Sequence, residues 1–286
     1  MATDAISKSV LITGCSTGIG RATVEWLLKS GWKVTATARR LETIKDLADA
    51  GARTLPLDVT DEASMAAAVK AVEQEDAAVG VLINNAGYGL QGPVEEVSMD
   101  ELRRQFETNV FGLVRMCQLV LPGMRRQGWG RIVNLSSIGG RLTFPGGGPY
   151  HGTKHAIEAI SDVLRFEVRP FGVKVILVEP GTVLTPFGDT ALASIEGAKD
   201  TGPYAGFKEG LTETVEGAYK GRLSRMGISA DKVARVIEKA IGARRPRSRY
   251  PVGAPARMGI MTRRVTPDRV FDAVLRSQFR SPDAPG

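Results

Sequence analysis

Short apolar runs alternate with longer amphipathic stretches along most of this chain. The apolar runs predict seven strands, at Ser9–Thr13, Lys33–Ala38, Arg53–Leu57, Gly80–Ile83, Arg131–Leu135, Val173–Val178 and Tyr250–Val252. The stretches between them predict helices near Arg21–Ser30, Ser64–Asp76, Met99–Arg126, Tyr150–Arg169 and Asp231–Ile241. Apolar strands alternating with helices are typical of a parallel, doubly wound sheet. We therefore expect one α/β domain over residues 1–286.

Two segments depart from this pattern. Residues 187–227 have no clear periodicity and hold several glycines beside apolar side chains. We expect short helices there, forming a mobile lid that excludes water from a bound substrate. Residues 253–286 form a C-terminal extension, of which 281–286 should be frayed.

The loop after the first strand carries Gly14, Gly18 and Gly20, in the spacing Gly-x-x-x-Gly-x-Gly. A helical pattern follows, with Gly31 as its expected C-cap. Glycines between a strand and a helix let the backbone approach a pyrophosphate, which the helix N–H groups then bind. The spacing differs from the commoner Gly-x-Gly-x-x-Gly fingerprint. The alternative is a tight turn without a ligand, but the surrounding strand and helix favour a nucleotide site.

Tyr150 and Lys154 lie four positions apart on a predicted helix and so share one face, with Ser137 thirteen positions earlier. An ammonium beside a phenol favours the phenolate, so we expect the pKa of Tyr150 to fall below its usual value of about 10. A tyrosine tuned in this way exchanges a proton with a substrate oxygen near neutral pH. Tyr-x-x-x-Lys pairs also occur by chance, but the glycine loop in the same chain favours a functional interpretation of this pair.

Together these motifs resemble the short-chain dehydrogenase/reductase family. Its cofactor motifs are matched by Thr13–Gly20, by Asn84–Gly87 after the fourth strand and by Pro180–Thr185 after the sixth. Its catalytic tetrad is matched by Asn109, Ser137, Tyr150 and Lys154. The resemblance runs from about Lys8 to Tyr250. It implies a single Rossmann-fold domain that transfers a hydride between a nicotinamide cofactor and a carbonyl or alcohol.

The resemblance also implies a role for each residue of the tetrad. The hydroxyls of Ser137 and Tyr150 would hold the carbonyl oxygen, with Tyr150 as the general acid or base. Lys154 would hold the cofactor's ribose and lower the tyrosine pKa. Asn109 would anchor a water linking Lys154 to solvent, or else be a polar residue satisfied within its helix. Ser136 competes with Ser137, and the family spacing to Tyr150 selects Ser137.

The end of the second strand bears on the choice of cofactor. It reads Thr37-Ala38-Arg39-Arg40, with no acid to bind the ribose hydroxyls of NAD. Arg39, helped by the Ser16 hydroxyl, would bind the 2′-phosphate of NADP. We expect NADP(H) to be preferred, with NAD(H) as the alternative; Arg39 as a plain surface charge is the other interpretation. Asp58 matches the family residue that contacts adenine, or else it is a helix N-cap.

The predicted cofactor site comprises residues from six segments of the chain: Gly14, Ser16, Thr17, Gly18, Ile19, Gly20, Arg39, Asp58, Val59, Asn85, Ala86, Gly87, Tyr150, Lys154, Pro180, Gly181, Val183 and Thr185. The predicted substrate site is mainly apolar and comprises Ser137, Ile138, Phe144, Tyr150, Leu184 and Phe187, with Arg141 and Leu142 as further wall residues. His151 is predicted to line this pocket or to pack, and His155 to be exposed or packed.

Composition, apolar run lengths and residue spacing add further expectations. The two cysteines, Cys15 and Cys117, give no disulfide framework and are expected to be apolar fillers in a reducing cytoplasm. No run is long enough to span a membrane, no signal peptide opens the chain and no metal-ligand spacing occurs. The net charge of +7 has a C-terminal bias, with ten arginines and three aspartates after Gly242. We interpret it as solvated surface or subunit contact, in a homodimer or homotetramer, rather than as nucleic-acid binding.

The chain's ending resembles the hydroxysteroid and retinol dehydrogenase-like branch, which implies a hydrophobic ketone, aldehyde or secondary alcohol as substrate. A 3-oxoacyl-type or NAD-linked alcohol dehydrogenase of the same family is an alternative. A non-catalytic cofactor sensor on the same fold is another, although Ser137, Tyr150 and Lys154 are all retained. A nucleotide-sugar epimerase or dehydratase would need a larger C-terminal domain.

Overall fold

A computed structural model describes residues 6–196 and 202–282. Its strands are β1 (Val10–Ile12), β2 (Val34–Ala38), β3 (Arg53–Pro56), β4 (Val81–Asn84), β5 (Gly130–Leu135), β6 (Val173–Pro180) and β7 (Arg249–Val252). All pair in parallel in one sheet of order β3-β2-β1-β4-β5-β6-β7. The predicted doubly wound sheet of seven strands is confirmed. The order reverses between β1 and β4, the point at which such sheets bind ligands beyond their carboxyl ends.

The helices are α1 (Gly18–Lys29), α2 (Lys45–Asp49), α3 (Glu62–Glu75), α4 (Met99–Phe106), α5 (Gly112–Arg126), α6 (Gly148–Glu167), α7 (Phe187–Glu196), α8 (Ala205–Tyr219), α9 (Ala230–Gly242), α10 (Ala254–Val265) and α11 (Asp268–Gln278). No helix in the described part of the chain is both long and apolar enough to cross a membrane.

Alternation along β1 divides the core between the two faces of the sheet. Val10 and Ile12 point to one face, where α1 and α9 cover them, and Leu11 points to the other, beneath α3, α5 and α6. All three side chains are fully buried. A strand buried on both faces reads as a continuous apolar run, which is why it was recognisable in the sequence.

The single helix predicted over Met99–Arg126 is divided. A π-helical turn, Glu107–Phe111, separates α4 from α5 and carries Asn109. The prediction of one regular helix is therefore wrong in this detail. The extra residue of a π-turn leaves the apolar periodicity on either side almost intact, so the pattern does not reveal it.

The segment 187–227 contains the predicted short helices, namely α7, α8 and the 3₁₀ turn Arg222–Met226. Residues 197–201 between the two helices, and the last residues 283–286 of the predicted frayed tail, lie outside the described ranges. The sequence pattern did not predict α2, α10 or α11. α10 buries only Ala256 and Ile260, and α11 has no buried residue, so neither shows the periodicity of a helix packed on a core.

Candidate active site

The glycine loop bends from β1 into α1 at the switch point of the sheet. Gly14 and Gly18 adopt φ values of 71° and 60°, which favour glycine. A Cβ on Gly14 would lie 2.9 Å from Ala86 Cα, and one on Gly20 would lie close to the Gly14 carbonyl oxygen. The Thr17 side chain, as described in the structure, does not cap α1, so it leaves the first N–H groups of the helix available to a ligand. The loop is therefore a backbone cradle, and these N–H groups fit a pyrophosphate.

The Asn85–Gly87 loop is fastened to this cradle. Asn85 Nδ2 donates to the carbonyl oxygens of Thr13 (2.9 Å) and Gly14 (2.8 Å). Thr13 Oγ1 in turn accepts from the backbone N–H groups of Asn85 and Ala86, both at 3.0 Å. These four bonds fix the ends of β1 and β4 to each other.

The segment after β6 closes the other side of the cradle. Gly181 N–H donates to the Val252 carbonyl oxygen (3.2 Å), and Val183 forms a parallel bridge with Ile228. A Cβ on Gly18 would lie 3.3 Å from Thr185 Cβ, so the Thr185 side chain lies against the glycine loop. The predicted Pro180–Thr185 motif thus contacts the predicted Gly14–Gly20 motif, although more than 150 residues separate them in the chain.

The residues predicted to select the cofactor lie at the same edge of the sheet. Arg39 is exposed directly after β2, and no described carboxylate lies within 4.0 Å of its guanidinium. Ser16 is half-buried in the glycine loop. Asp58 Oδ1 accepts from the backbone N–H (2.9 Å) and hydroxyl (2.8 Å) of Thr60. The N-cap of α3 is Asp61, so the alternative of Asp58 as a helix cap is wrong.

Tyr150, Lys154 and Ser137 meet beside the cradle. Tyr150 and Lys154 lie one turn apart on α6, with Lys154 Nζ 5.6 Å from the Tyr150 ring centroid. Lys154 Nζ donates to the Leu135 carbonyl oxygen at the end of β5 (2.7 Å). The Ser137 hydroxyl follows that strand and accepts from Gly139 N–H (3.0 Å), and it is close enough to Tyr150 to lower the pKa of the phenol. The predicted proton-transfer group is brought together by one helix and one strand end.

Burial favours the neutral forms of both Tyr150 and Lys154. It raises the pKa of Tyr150 above its usual value, against the Ser137 hydrogen bond, which lowers it. It lowers the pKa of Lys154 to about 8, against the nearby charge of Glu158. The expected fall in the Tyr150 pKa is therefore wrong for the chain by itself. Desolvation of Tyr150 is the largest cause and exceeds the lowering effect of Ser137.

Asn109 lies in the π-turn and is buried. Its Nδ2 donates to the Tyr88 carbonyl oxygen (3.0 Å) and to Thr153 Oγ1 (3.2 Å), and its Oδ1 accepts from Tyr88 N–H (3.1 Å). The side chain thus ties the loop after β4 to α6 next to Lys154. Its partners lie outside its own helix, so the alternative of a polar residue satisfied within that helix is not borne out, and the water-anchoring role stays a prediction.

Aromatic side chains surround the tyrosine. The Phe187 ring, at the start of α7, lies 5.5 Å from the Tyr150 ring, and the Phe144 ring lies 5.7 Å from His151. Leu184 is 44% exposed, and Ile138 is half-buried. Of the apolar walls predicted for a substrate, Phe187 thus lies against Tyr150, and the substrate-binding role of the set stays a prediction.

Two further predicted wall residues point elsewhere. Leu142 is buried, 3.7 Å from the position of a Cβ on Gly259 of α10. Arg141 Nη1 lies 3.8 Å from Glu158 Oε2, in a charge cluster behind Lys154. Both belong to the support of the site, because the chain turns away from it directly after Ile138.

The histidines and cysteines follow their predictions. His151 is buried with Nδ1 3.1 Å from the Gly139 carbonyl oxygen, and burial lowers its pKa to about 4. His155 is exposed. Burial raises the pKa of both Cys15 and Cys117 to about 12, which suits apolar fillers and not nucleophiles.

Sequence reasoning missed a buried carboxyl pair behind Lys154. Glu158 on α6 and Glu179 on β6 are 4% and 1% exposed, and Arg249 Nε lies 3.0 Å and 3.3 Å from their oxygens. Burial, followed by the charge of Glu158, raises the pKa of Glu179 to about 7. The position of Glu158, one helical turn beyond Lys154, could have indicated a charged group near the site. The hydrophobic pattern, however, did not predict that Glu179 lies beside Glu158.

Tyr219, the last residue of α8, was also missed. A Cβ on Gly188 would lie 2.5 Å from its ring, so it packs on the start of α7. Burial raises its pKa to about 12, and its charge in turn raises the pKa of Tyr150. The segment 187–227 therefore brings a second phenol near the site.

The chain is similar to a known protein family and to several of its members. Residues 8–195 match the model of the family described as short chain dehydrogenase. The NADPH-dependent 3-dehydrocapnine reductase of Ornithobacterium rhinotracheale is 35% identical over 96% of this chain and 98% of its own. The 3-ketodihydrosphingosine reductase of Bacteroides thetaiotaomicron is 37% identical over 85% and 87%, and human retinol dehydrogenase 5 is 34% identical over 93% and 87%.

Solved structures agree with the fold. A short-chain dehydrogenase from Streptomyces avermitilis has a TM-score of 0.77 at 34% identity and covers 94% of this chain and 93% of its own. A serine dehydrogenase complexed with NADP⁺ gives 0.73 at 26%, with 85% and 94% covered. A Burkholderia phymatum short-chain dehydrogenase/reductase in complex with NAD gives 0.76 at 27%, with 100% and 99% covered. The expectation of NADP(H), with NAD(H) as the alternative, agrees with these relatives.

Proposed function

Because the chain belongs to the short-chain dehydrogenase/reductase family and is an oxidoreductase of that family, we propose that it interconverts a hydrophobic ketone or aldehyde and its alcohol with NADP(H). Tyr150 is the general acid and base of this reaction. The observation that carries the proposal is the group of Ser137, Tyr150 and Lys154 at the open end of the glycine cradle.

The chain's own groups fit the cofactor. The backbone cradle of Gly14–Gly20 would bind the pyrophosphate, and Lys154 would hold the ribose next to the nicotinamide. Arg39 would pair with a 2′-phosphate by charge and by its forked donors. When bound, the cofactor supplies or accepts the hydride.

The protein's share of the reaction is to handle charge and a proton. In reduction, the substrate oxygen accepts hydrogen bonds from the Ser137 and Tyr150 hydroxyls, which stabilise the negative charge that develops on it. The Tyr150 O–H bond then breaks and its proton passes to that oxygen, which completes the alcohol. The raised pKa of Tyr150 keeps the hydroxyl protonated and ready to donate at neutral pH. In oxidation, Tyr150 takes the proton back.

The walls of the site support a hydrophobic substrate. Phe187 packs on the Tyr150 ring and Phe144 on His151, and the other two predicted walls, Leu184 and Ile138, are also apolar. The names of the relatives refer to a 3-dehydro compound, a 3-keto compound and retinol. We therefore propose a carbonyl or alcohol group on a long apolar chain or ring.

The test is turnover with matched substrates. Purified protein should oxidise NADPH in the presence of long-chain 3-ketones faster than in the presence of their short-chain counterparts, and NADH should serve less well. Binding of NADPH without turnover of any ketone, aldehyde or alcohol in the panel would favour the non-catalytic sensor and reject this proposal. Faster turnover of the short, polar counterparts would reject the hydrophobic substrate but keep the reaction.

A further inference from the structure

The outward side of α10 is apolar where water-facing helices are normally polar. Met258, Met261 and Val265 are 68%, 69% and 81% exposed, and their spacing of three and four residues puts them on one side of the helix. The opposite side, with Ala256 and Ile260, is buried against the domain. α10 therefore has two apolar sides, and only one of them packs against the core of the domain.

The next helix also exposes apolar side chains. Val270 and Val274, one turn apart on α11, are 53% and 43% exposed, while Phe271 and Leu275 are half-buried. We call Met258, Met261, Val265, Val270 and Val274 the C-terminal apolar face. Within residues 6–196 and 202–282, nothing buries these five side chains. Exposed apolar side chains grouped in this way on consecutive helices indicate a binding surface.

Positive charge accompanies this face. Residues 254–282 contain six arginines and two aspartates. Arg263 pairs with Asp268 (2.6 Å), and Arg280 pairs with Glu209 (2.6 Å). Arg257 and Arg264 are exposed and flank the apolar side of α10. An apolar side bordered by arginines is the pattern of a helix that lies in a lipid–water interface.

The charge also distinguishes between occupants. In a symmetric pair of chains, the same patch meets itself, so the arginines of one copy would face those of the other. That juxtaposition is unfavourable, whereas an anionic lipid surface complements it. We propose that α10 and α11 dock this protein onto an anionic lipid membrane, with the C-terminal apolar face entering the interface.

The inner side of α10 connects this surface to the active site. A Cβ on Gly259 would lie 3.7 Å from Leu142, and a Cβ on Gly181 would lie 3.5 Å from Ala256. Leu142 follows the Ser137 loop, and Gly181 belongs to the segment that closes the cofactor cradle. A membrane bound at the outer side of α10 would thus lie one helix away from the site. A substrate dissolved in the bilayer could then reach it directly.

The experiment is co-sedimentation of the full chain with vesicles. We expect it to pellet with vesicles of phosphatidylcholine and phosphatidylglycerol in equal amounts, at least about tenfold more strongly than with phosphatidylcholine alone, and to be released by salt. Met261→Asp with Val265→Asp, and separately Arg257→Glu with Arg264→Glu, should each weaken binding by about tenfold or more. Val94→Asp, at a valine 73% exposed elsewhere, should leave binding unchanged.

Three results would overturn the proposal. The first is no pelleting with anionic vesicles at low salt. The second is equal binding by the parent and both double variants, which would move any membrane contact to another surface. The third is a change of oligomeric state in the Met261→Asp, Val265→Asp variant without a change in vesicle binding, which would assign the face to a second copy. Unfolding midpoints check that every variant folds, and the binding assay needs no turnover, so it stands apart from the proposed reaction.

Discussion

The carboxyl edge of the sheet and the C-terminal helices differ in how their residues are held. At the sheet edge, Asn85 and Thr13 join two strand ends by four hydrogen bonds, and Lys154 is held by the end of β5. In α11, by contrast, no residue is buried, and α10 buries only Ala256 and Ile260. Chemistry that needs fixed distances lies where the backbone is fixed by several strands.

The difference is also one of electrostatics. Burial at the sheet edge shifts the pKa values of Tyr150, Lys154 and Glu179, because their charges are separated from water. The arginines of α10 and α11 keep their charges in water, where salt screens them. Substitutions at the two regions should therefore act on different measurable properties.

The largest expected effect is that of Tyr150→Phe, which removes the transferable proton and keeps the ring. Turnover should fall by about three orders of magnitude or more, since both acid catalysis and an oxyanion donor are lost. Cofactor binding, measured by fluorescence titration, should largely survive. Tyr250→Phe is the matched control, because its hydroxyl only accepts a hydrogen bond from Arg247 N–H. Near-normal turnover in Tyr150→Phe would remove this residue from the mechanism.

Arg39→Asp should act next most strongly, and on cofactor choice alone. A carboxylate in place of the guanidinium repels a 2′-phosphate and accepts ribose hydroxyls, so the ratio of kcat/KM for NADPH to that for NADH should fall by at least about tenfold. Arg245→Asp changes the net charge equally on an exposed residue and should leave the ratio unchanged. A parent enzyme that already prefers NADH would show that Arg39 and Ser16 do not select the cofactor.

The proposed lid, residues 187–227, gives a smaller, local effect. Its helices α7 and α8 place Phe187 and Tyr219 near Tyr150. We expect the amide protection of α7 and α8 to rise by about tenfold when NADPH and a substrate analogue bind, because closure orders the segment. Hydrogen exchange measures this, with β1 and β4 as internal references of constant protection. Strong protection of α7 and α8 in both states would make the segment fixed scaffold.

The smallest effect concerns the pH dependence of stability. Burial raises the pKa of Glu179 from 4.5 in the unfolded chain to about 7 in the fold. The folded state therefore binds more protons between these values, and the contribution of Glu179 to stability is present below pH 4.5 and lost as the pH rises through 7. Glu179→Gln should remove on the order of 2 kcal/mol of this decline between pH 5 and pH 8.

Thermal unfolding at the two pH values measures the change. Glu167→Gln, at an exposed position on the same protein, should reproduce the parent's pH dependence. The same slope in Glu179→Gln and in the parent would mean that the fold does not raise the pKa of Glu179.

Much of this molecule followed from local pattern. The apolar runs around Leu11 and Ile83 predicted buried parallel strands, because such strands must be apolar on both faces. The glycines at 14, 18 and 20 predicted a backbone cradle, since only glycine allows the approach of Ala86 and of the Gly14 carbonyl oxygen. Spacing alone paired Tyr150 with Lys154 on one side of a helix.

Other features depended on contacts between distant parts of the chain. The direction of the Tyr150 pKa shift was predicted wrongly, because it is set by burial under segments that the spacing of Tyr150 and Lys154 does not contain. Glu158 and Glu179 became a pair only when α6 packed on β6, and Arg249 joined them from β7. The exposed apolar side of α10 could be identified only in the structure. There Ala256 and Ile260 are buried against the domain, and Met258, Met261 and Val265 are exposed to water. The sequence determined periodicity, backbone freedom and the neighbours along a helix, because these act within a few residues. Burial and the choice of distant partners were decided by the tertiary structure, because both depend on which surfaces the sheet brings together.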